Sequence, residues 1–344
     1  MMDRCRSAAR LLSVALLLAA FVEPGWAQTQ GAITGTVADT SGASIPGADV
    51  TVTNTATRGM RNTTTNADGL YTFPSLPPGF YELKVELQGF KTVEIPSFKV
   101  DIQQTVRVDV PLEVGALNET VTVTGTTTLL NTQSTTVGTV IENKVVVELP
   151  LNGRQYLNLV AIAPNVNVLS PAAGQAGARL GGERAQQSIS AGGQRIFFNY
   201  YTLDGVNNNE PNFQNYIALP SIDAIQEFKV QTGVYPAEFG HQSTQVNVVT
   251  KSGGNQYHGS IFEFLRDEKF DAKPYTFTSV HPDKSPFKWN DYGFEADGPV
   301  IRNKLFVMGN LEVLRRRQTT QSTFTVPTDK MFNGDLSGWT LVKA

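Results

Sequence analysis

PSIDAIQEFKVQTGVYPAEFGHQSTQVNVVTKSGG, residues 220–254, predicts a short helix, a strand, a sharp corner and a second strand. Ser221 stands where a helix N-cap is expected, and residues 227–230 then change to the period-two pattern of a strand. A glycine- and proline-containing corner ends at Gly240, and residues 245–250 alternate again. On periodicity alone, a βαβ-like piece of a soluble domain fits this stretch as well.

The same residues resemble the end of the plug domain of TonB-dependent outer-membrane receptors. The matching positions are Ile222, Ile225, Glu227, Val230, Gly233, Phe239, Gly240, Asn247, Val248, Val249, Thr250 and Lys251. Upstream, the turn Asp204-Gly205 resembles the Asp-Gly turn of the plug, and LPLNGRQYLNLVAIAPNV (149–166) resembles the Oar-like branch of that family. The resemblance implies that Asp204, Gly205 and Gly240 belong to the plug motif. The sequence departs from the family pattern at Ala191 and at residues 241–244.

The first 27 residues have the pattern of a cleaved secretory signal peptide. Arg4, Arg6 and Arg10 precede an apolar run over residues 11–22, and a small residue, Ala27, stands at the expected cleavage site. The run is shorter than the roughly 20 residues that a spanning helix needs. The single cysteine of the chain lies in this leader, so the exported protein is predicted to contain no disulfide.

The charge balance argues against a nucleic-acid partner. The formal net charge is -3, and the one basic cluster, Arg315 to Arg317, is short. After the leader, no apolar segment is long enough to cross a bilayer as a helix. If the protein reaches a membrane, it must therefore cross it as a β-barrel.

Closely spaced short strands are predicted from residue 31 to residue 113. They are expected at 33–37, 48–54, 69–73, 81–87, 91–95 and 105–112, separated by Gly- or Pro-containing turns. Residues 81–87 and 105–112 alternate apolar with polar side chains, as half-buried antiparallel strands do. This pattern predicts a β-sandwich of about 80 residues.

This segment also resembles the carboxypeptidase-regulatory-like module over its whole length. The matching phrases, in order, are GTV (35–37), IPGA (45–48), NADG (66–69), YTF (71–73), LPPG (76–79) and GF (89–90). The resemblance implies a prealbumin-like, carbohydrate-binding-like sandwich and no peptidase activity. We interpret Asp68-Gly69 as a hairpin turn, because the alternating acidic ligands of a calcium loop are missing.

LNETVTVTG, residues 117–125, is an alternating strand just after the sandwich. In the resembled family this is the position of the TonB box, an extended segment that binds the energy-coupling protein TonB by strand addition. The candidate coupling residues are Glu119, Thr120, Val121, Thr122 and Val123. The alternative is one more strand of the sandwich, and composition does not decide between the two.

The remainder is predicted to form a mixed α+β plug and then membrane strands. Short helices are expected at 143–149 and 155–163, and a Gly/Ala/Gln-rich loop at 170–193. Longer amphipathic strands with aromatic residues near their ends follow from residue 253, as in a membrane barrel. Glu263 is expected to face a polar lumen.

The fold class is thus mainly β, with a prealbumin/Ig-like sandwich, a mixed α+β plug and the first strands of an outer-membrane β-barrel. The expected segments are a signal peptide (1–27), the sandwich (28–115), the coupling segment (116–125), the plug (126–252) and the start of the barrel (253–344). The last segment has room for about four strands, whereas the smallest closed barrels have about 8. We therefore expect the sequence to be the N-terminal part of a receptor.

No catalytic, metal or cofactor motif is present in the sequence. His241, His258 and His281 match no metal-binding spacing, and phosphate-loop and nucleophile-elbow motifs are missing. The leading hypothesis is part of an outer-membrane, TonB-dependent transporter, not an enzyme. Its expected partners are TonB and an unidentified extracellular ligand of the siderophore, oligosaccharide or peptide class. The alternative is a secreted carbohydrate- or surface-binding sandwich attached to a non-transporting receptor remnant.

Overall fold

The computed structural model describes residues 29–115, 120–122, 138–149, 151, 154–169, 188–195, 198–211, 216–234, 244–273, 275, 284, 286–319 and 327–335. The predicted signal peptide lies outside the described residues, and so do Glu119, Val123, Gly240, His241 and His281. In the described part, no helix is long and apolar enough to cross a membrane.

The described residues of the N-terminal sandwich form nine strands. They are β1 Gly31–Asp39, β2 Asp49–Asn54, β3 Met60–Thr64, β4 Leu70–Leu76, β5 Gly79–Glu86, β6 Thr92–Val100, β7 Thr105–Arg107, β8 Val110–Leu112 and β9 Thr120–Thr122. One sheet has the order β4-β1-β7, with β8 also paired to β1, and the other has the order β3-β2-β5-β6-β9. The predicted mainly β sandwich is confirmed.

Period-two alternation sets the sandwich core. Every second side chain of β1 from Gly31 to Val37 is buried, and β5 buries Tyr81, Leu83 and Val85 in the same way. The two inner faces meet in one apolar cluster, which also contains Phe73. Within the first sheet, the chain between β7 and β8 approaches β1 closely at Gly35: an added Cβ would lie 1.8 Å from the carbonyl oxygen of Val108, so only glycine fits.

Two details of the sandwich differ from the sequence prediction. The single strand expected at 105–112 is divided into β7 and β8, and both pair with β1 in parallel rather than antiparallel orientation. Strand β3 was not predicted, because MRNTT lies at a sheet edge with mostly exposed side chains and has no apolar alternation.

The described residues of the central region form seven further strands and three short helices. The strands are β10 Gly138–Glu142, β11 Val166–Leu169, β12 Ser188–Ala191, β13 Asn199–Leu203, β14 Val206–Asn207, β15 Ile225–Thr232 and β16 Thr244–Thr250. The main sheet has the order β10-β15-β16-β13-β14, and β11 pairs separately with β12. The helices are Asn143–Glu148, the 3-10 helix Tyr156–Ile162 and the 3-10 helix Ile222–Ala224.

The short helices expected at 143–149 and 155–163 are confirmed, and the second of them is a 3-10 helix. Residues 188–191 of the expected loop instead form β12. Ser221 occupies the N-cap position of its helix, but its side chain makes no capping hydrogen bond. Backbone geometry alone therefore starts that one-turn helix.

The last described strands form a three-stranded sheet of order β17-β18-β19, made by His258–Asp267, Phe287–Ile301 and Leu305–Gln318. Glu263 shares one face of β17 with Ile261 and Leu265, whose side chains are 91% and 51% exposed. That Glu263 faces a polar lumen stays a prediction. Arg266 lies on the opposite face, with its guanidinium 5.2 Å from the Phe287 ring centre. A short helix, Asp329–Phe332, follows.

Candidate functional site

The predicted plug motif begins with the turn Asp204-Gly205, which joins β13 to β14. Both residues have positive φ, 50° and 81°, and Leu203 pairs with Val206 across the turn. A two-residue hairpin loop with φ > 0 at both positions matches the right-handed twist of its strands, and Asp-Gly suits it. The tolerance of Asp and Gly for positive φ therefore explains why these two residues form this turn.

The side chain of Asp204 joins this turn to the end of β16. Its Oδ1 accepts from the backbone N–H of Thr250 at 2.8 Å, and its Oδ2 accepts from Thr250 Oγ1 at 2.9 Å. The backbone N–H of Asp204 donates to the Val248 carbonyl at 2.9 Å. Two stretches that the sequence analysis treated as separate motifs are thus held together at the point where the chain leaves the plug sheet.

A buried ion pair connects the LPLNGRQY stretch to the short helix before β15. Arg154 and Asp223 are 7% and 6% exposed, and an Arg154 guanidinium nitrogen donates to Asp223 Oδ2. Arg154 has a φ of 51°, a conformation that non-glycine residues adopt rarely. The sequence analysis did not single out Arg154. The available signal was its place after Asn-Gly in the Oar-like stretch.

A polar, buried face of the plug sheet lies against the sandwich loop of residues 101–104. Glu227, Lys229 and Asn247 belong to this face, and they are 1%, 4% and 0% exposed. Glu227 Oε1 accepts from the backbone N–H of Ile102 at 2.6 Å, and Lys229 Nζ donates to the Gln103 carbonyl at 3.3 Å.

Asn247 continues the same contact from the neighbouring strand. Its Nδ2 donates to Gln103 Oε1 at 3.4 Å, and its Oδ1 accepts from Thr202 Oγ1 at 2.7 Å. We call the contact of Glu227, Lys229 and Asn247 with residues 101–104 the sandwich–plug junction.

Lys99 provides most of the positive charge at the edge of this junction. Its Nζ lies 2.7 Å from Asp101 Oδ1, 2.5 Å from Glu142 Oε1 and 3.3 Å from Glu227 Oε2. Burial by itself lowers the pKa of Lys99, but its hydrogen bonds to Asp101 and Glu142 and the charge of Glu227 outweigh burial and raise that pKa above its ordinary value.

The two buried charges on β15 are shifted towards their neutral forms. Burial raises the pKa of Glu227, and the Ile102 N–H and the Lys99 charge offset this only in part. Burial likewise lowers the pKa of Lys229, with partial compensation by Asp101 and Glu227. Each of these charges loses hydration when it is buried, so the stability of the sandwich–plug junction depends on whether Glu227 and Lys229 are protonated.

The described part of the candidate coupling segment is β9, which pairs in parallel with β6. Thr92, Val93 and Glu94 stand opposite Thr120, Val121 and Thr122. Strand β9 is thus the edge strand of a sandwich sheet, as the sandwich-strand alternative expected. The coupling role of residues 119–123 stays a prediction.

No group of three or more metal-ligand side chains occurs among the described residues. The described histidine, His258, lies 3.3 Å from Asp297 through its Nδ1 and makes a local polar pair.

The sandwich, the plug-like sheet and the amphipathic strands follow one another in the order that the resemblance to outer-membrane receptors predicted. Two family models match the chain: the carboxypeptidase regulatory-like domain over residues 32–113 and the outer membrane beta barrel domain over residues 249–343. These matches agree with the resemblance of the N-terminal segment and with the strands expected after the plug.

A curated relative extends the comparison across both regions. The TonB-dependent transporter Oar of Myxococcus xanthus is 28% identical over 306 residues, which is 84% of this chain and 27% of the relative. The chain therefore spans about a quarter of the length of this relative.

Two solved structures of receptors are also similar. The siderophore receptor PirA from Acinetobacter baumannii is 22% identical, with a TM-score of 0.37, over 51% of this chain and 24% of PirA. The ferric enterobactin receptor PfeA is 15% identical, with a TM-score of 0.33, over 48% of this chain and 23% of PfeA.

The chain is thus similar to a TonB-dependent transporter over most of its length, and it contains matches to a carboxypeptidase regulatory-like domain and to an outer membrane beta barrel domain. The similarity to a transporter agrees with the prediction that the chain is not an enzyme.

Proposed function

We propose that the protein acts in an outer-membrane transporter that takes up an extracellular ligand with energy supplied by TonB. The supporting observation is the continuity between the plug sheet and the barrel. Strand β16 ends at Thr250, where Asp204 holds it, and the match to the outer membrane barrel domain begins at residue 249. A plug sheet whose last strand leads along the chain into the first barrel strand suits a plug that is anchored to the barrel wall at this end.

We assign the parts of this transporter as follows. Residues 1–27 would be the export signal, 28–115 the sandwich, 116–125 the TonB-coupling segment, 126–252 the plug and 253–344 the start of the barrel. The ligand would belong to the siderophore, oligosaccharide or peptide class.

TonB would bind the coupling segment by strand addition, which uses backbone N–H and C=O groups. In the structure these groups of Thr120, Val121 and Thr122 belong to a strand paired with β6. If only a fraction of molecules releases β9 from β6, the apparent dissociation constant for TonB rises by the inverse of that fraction. A ligand that favours the released state would then strengthen TonB binding, which is the differential affinity that coupling requires.

The test is the binding of the chain without residues 1–27 to the purified periplasmic domain of TonB from the same cell. We expect Val121→Pro to weaken binding at least tenfold, because proline removes a backbone donor from the added strand. Val121→Thr is the matched control, since threonine keeps the β-branched shape and the donor. Unchanged binding by the proline variant, or no binding by the parent chain, would refute the assignment of the coupling segment.

A further inference from the structure

The sandwich also contacts the chain that leaves the plug sheet, at a place separate from the sandwich–plug junction. The backbone N–H and the Nδ2 of Asn255 both donate to the Ala56 carbonyl, at 2.9 and 3.1 Å. Asn255 and Asn303 exchange two hydrogen bonds of 2.8 Å, and Asn303 lies in the short turn between β18 and β19. We call these hydrogen bonds of Asn255 with Ala56 and Asn303 the Asn255 contact. They connect a sandwich loop to the region that matches the outer membrane beta barrel domain.

The Asn255 contact is accessible to water. Ala56 and Asn303 are exposed, and a cavity of about 630 Å³ lies beside the contact. The cavity is lined mainly by sandwich residues of 54–61 and 76–81 and by residues of 251–258. Hydrogen bonds for which water can compete contribute little net stability.

The sandwich–plug junction is shielded from water. Glu227, Lys229 and Asn247 are at most 4% exposed and make hydrogen bonds to residues 101–104. Lys99 of β6 adds an ionic contact to Glu227. Hydrogen bonds in such a low-dielectric environment are stronger than exposed ones. The sandwich is therefore held more firmly by the plug sheet than by the Asn255 contact.

The candidate coupling segment lies nearer in the chain to the sandwich than to the plug sheet. Seven residues, 113–119, separate β8 from β9, whereas fifteen residues, 123–137, separate β9 from β10. Fully extended, these connections span about 25 and 50 Å. When the coupling segment is pulled away from both neighbours, the shorter connection becomes taut first and loads the sandwich.

We propose that the sandwich is the link through which a pull on the coupling segment reaches the plug. The exposed Asn255 contact breaks first, and the sandwich then moves β15 through the sandwich–plug junction. Short turns of outer-membrane barrels face the periplasm, which is the side on which TonB acts. TonB supplies the pull in the proposed transport function, on which this inference rests.

Two backbone amides report the two contacts directly. The Asn255 N–H donates to Ala56, and the Ile102 N–H donates to Glu227. We expect the hydrogen-exchange protection of the Asn255 amide, corrected for intrinsic rates, to be at least tenfold lower than that of the Ile102 amide. Equal or greater protection of Asn255 would refute the order of release.

A disulfide can lock the Asn255 contact, because an added Cβ at Gly254 would lie 3.5 Å from the Cβ of Ala56. The chain without residues 1–27 contains no other cysteine. The Ala56→Cys/Gly254→Cys variant would be pulled in optical tweezers in detergent. One DNA linker is attached to an azide-bearing amino acid in place of Glu119, and the other is attached after Ala344. TonB is absent from this experiment and its binding is measured separately, so failure of TonB binding and failure of the link are distinct results.

The first rupture event of the reduced variant should disappear after oxidation. Thr53→Cys/Met60→Cys joins two paired strands within the sandwich, so this matched disulfide should leave the first event in place. A first event that persists in the locked protein would overturn the proposal, and so would a first event that releases the length of the whole sandwich chain. Failure of the Ala56→Cys/Gly254→Cys pair to oxidise would contradict the contact itself.

Lys99→Met tests the second step. Lys99 bonds Glu142 and Glu227 across the junction, so its loss should lower the force of the second event and leave the first event unchanged. Lys84→Met is the matched control, because Lys84 pairs with Glu86 within the sandwich. Equal forces for the second event in these two variants would show that the pull does not pass through the junction.

Discussion

The sandwich and the plug sheet are both built from strands that alternate apolar with polar side chains, but the polar faces of these strands have different surroundings. In the sandwich, β5 buries Tyr81, Leu83 and Val85 and leaves its intervening polar side chains partly exposed. In the plug, β15 buries both faces: Phe228 lies in an apolar core, and its neighbour Glu227 lies in the sandwich–plug junction. Alternation of apolar and polar residues therefore reports a two-faced strand, but it does not tell whether water or protein covers the polar face.

The sharpest test of the apolar face is Phe228→Ala. Phe228 is 0% exposed and packs edge-on against Tyr156 at 5.3 Å between ring centres. We expect a loss of about 3–5 kcal/mol, which is typical of Phe→Ala in a core. Native-state amide hydrogen exchange in peptides covering residues 225–232 and 244–250 measures the free energy of opening of this sheet.

Phe80→Ala is the control for this variant, because Phe80 is 53% exposed on the sandwich. Its effect should stay within about 0.5 kcal/mol. Equal losses in the two variants would show that Phe228 does not lie in a close-packed core.

The second test removes one partner of the Arg154–Asp223 pair. Asp223→Asn removes the carboxylate charge that contacts the buried Arg154 guanidinium, so we expect a loss of about 3 kcal/mol in the opening free energy of the plug sheet. The exposed pair of Arg58 and Glu82, 3.5 Å apart, supplies the comparison: Glu82→Gln should cost less than about 1 kcal/mol. Similar losses would mean that burial does not determine the strength of these pairs.

Sequence patterns predicted the elements better than the contacts between them. The sandwich strands follow from period-two alternation and from Gly or Pro turns. The turn at Asp204-Gly205 follows from the preference of the Asp-Gly dipeptide for the positive φ angles that both residues adopt. Strand β3 was missed because an exposed edge strand needs no apolar pattern. The parallel pairing of β1 with β7 and β8 depends on chain topology, which local patterns do not encode.

The connecting side chains were the hardest part of the candidate site to predict. Arg154 and Asp223 are 69 positions apart, and Ile102 and Glu227 are 125 positions apart. No local spacing rule links such residues, and polar side chains in alternating strands are ordinarily assigned to solvent.

A pH dependence distinguishes the junction from the sandwich. The raised pKa of Glu227 means that its contribution to stability is fully present below the unfolded value, near the ordinary 4.5, and is lost as pH rises through the folded value. Opening of β15, measured by hydrogen exchange corrected for intrinsic rates, should therefore become easier as pH rises above about 4.5. Lys99, Asp101, Glu142 and Lys229 are the other titratable groups there.

Glu227→Gln removes this titration but keeps an acceptor for the Ile102 N–H. We expect the pH dependence of β15 to flatten in this variant, while that of β5 in the sandwich stays unchanged. A slope in β15 that persists in Glu227→Gln would assign the effect to another member of the junction.

The smallest expected effect concerns Asp204, whose carboxylate bonds Thr250 at the exit from the plug sheet. Asp204→Ala should cost about 1 kcal/mol in the opening free energy of β16, because two exposed hydrogen bonds are lost and alanine tolerates positive φ poorly. Asp204→Asn keeps one acceptor oxygen and suits positive φ, so it should stay within about 0.5 kcal/mol of the parent chain. Exchange of the Thr250 amide should accelerate in the alanine variant only. Equal losses of opening free energy in the two variants would show that the charge of Asp204, rather than its hydrogen bonds and turn geometry, stabilises its contact with Thr250 at the end of β16.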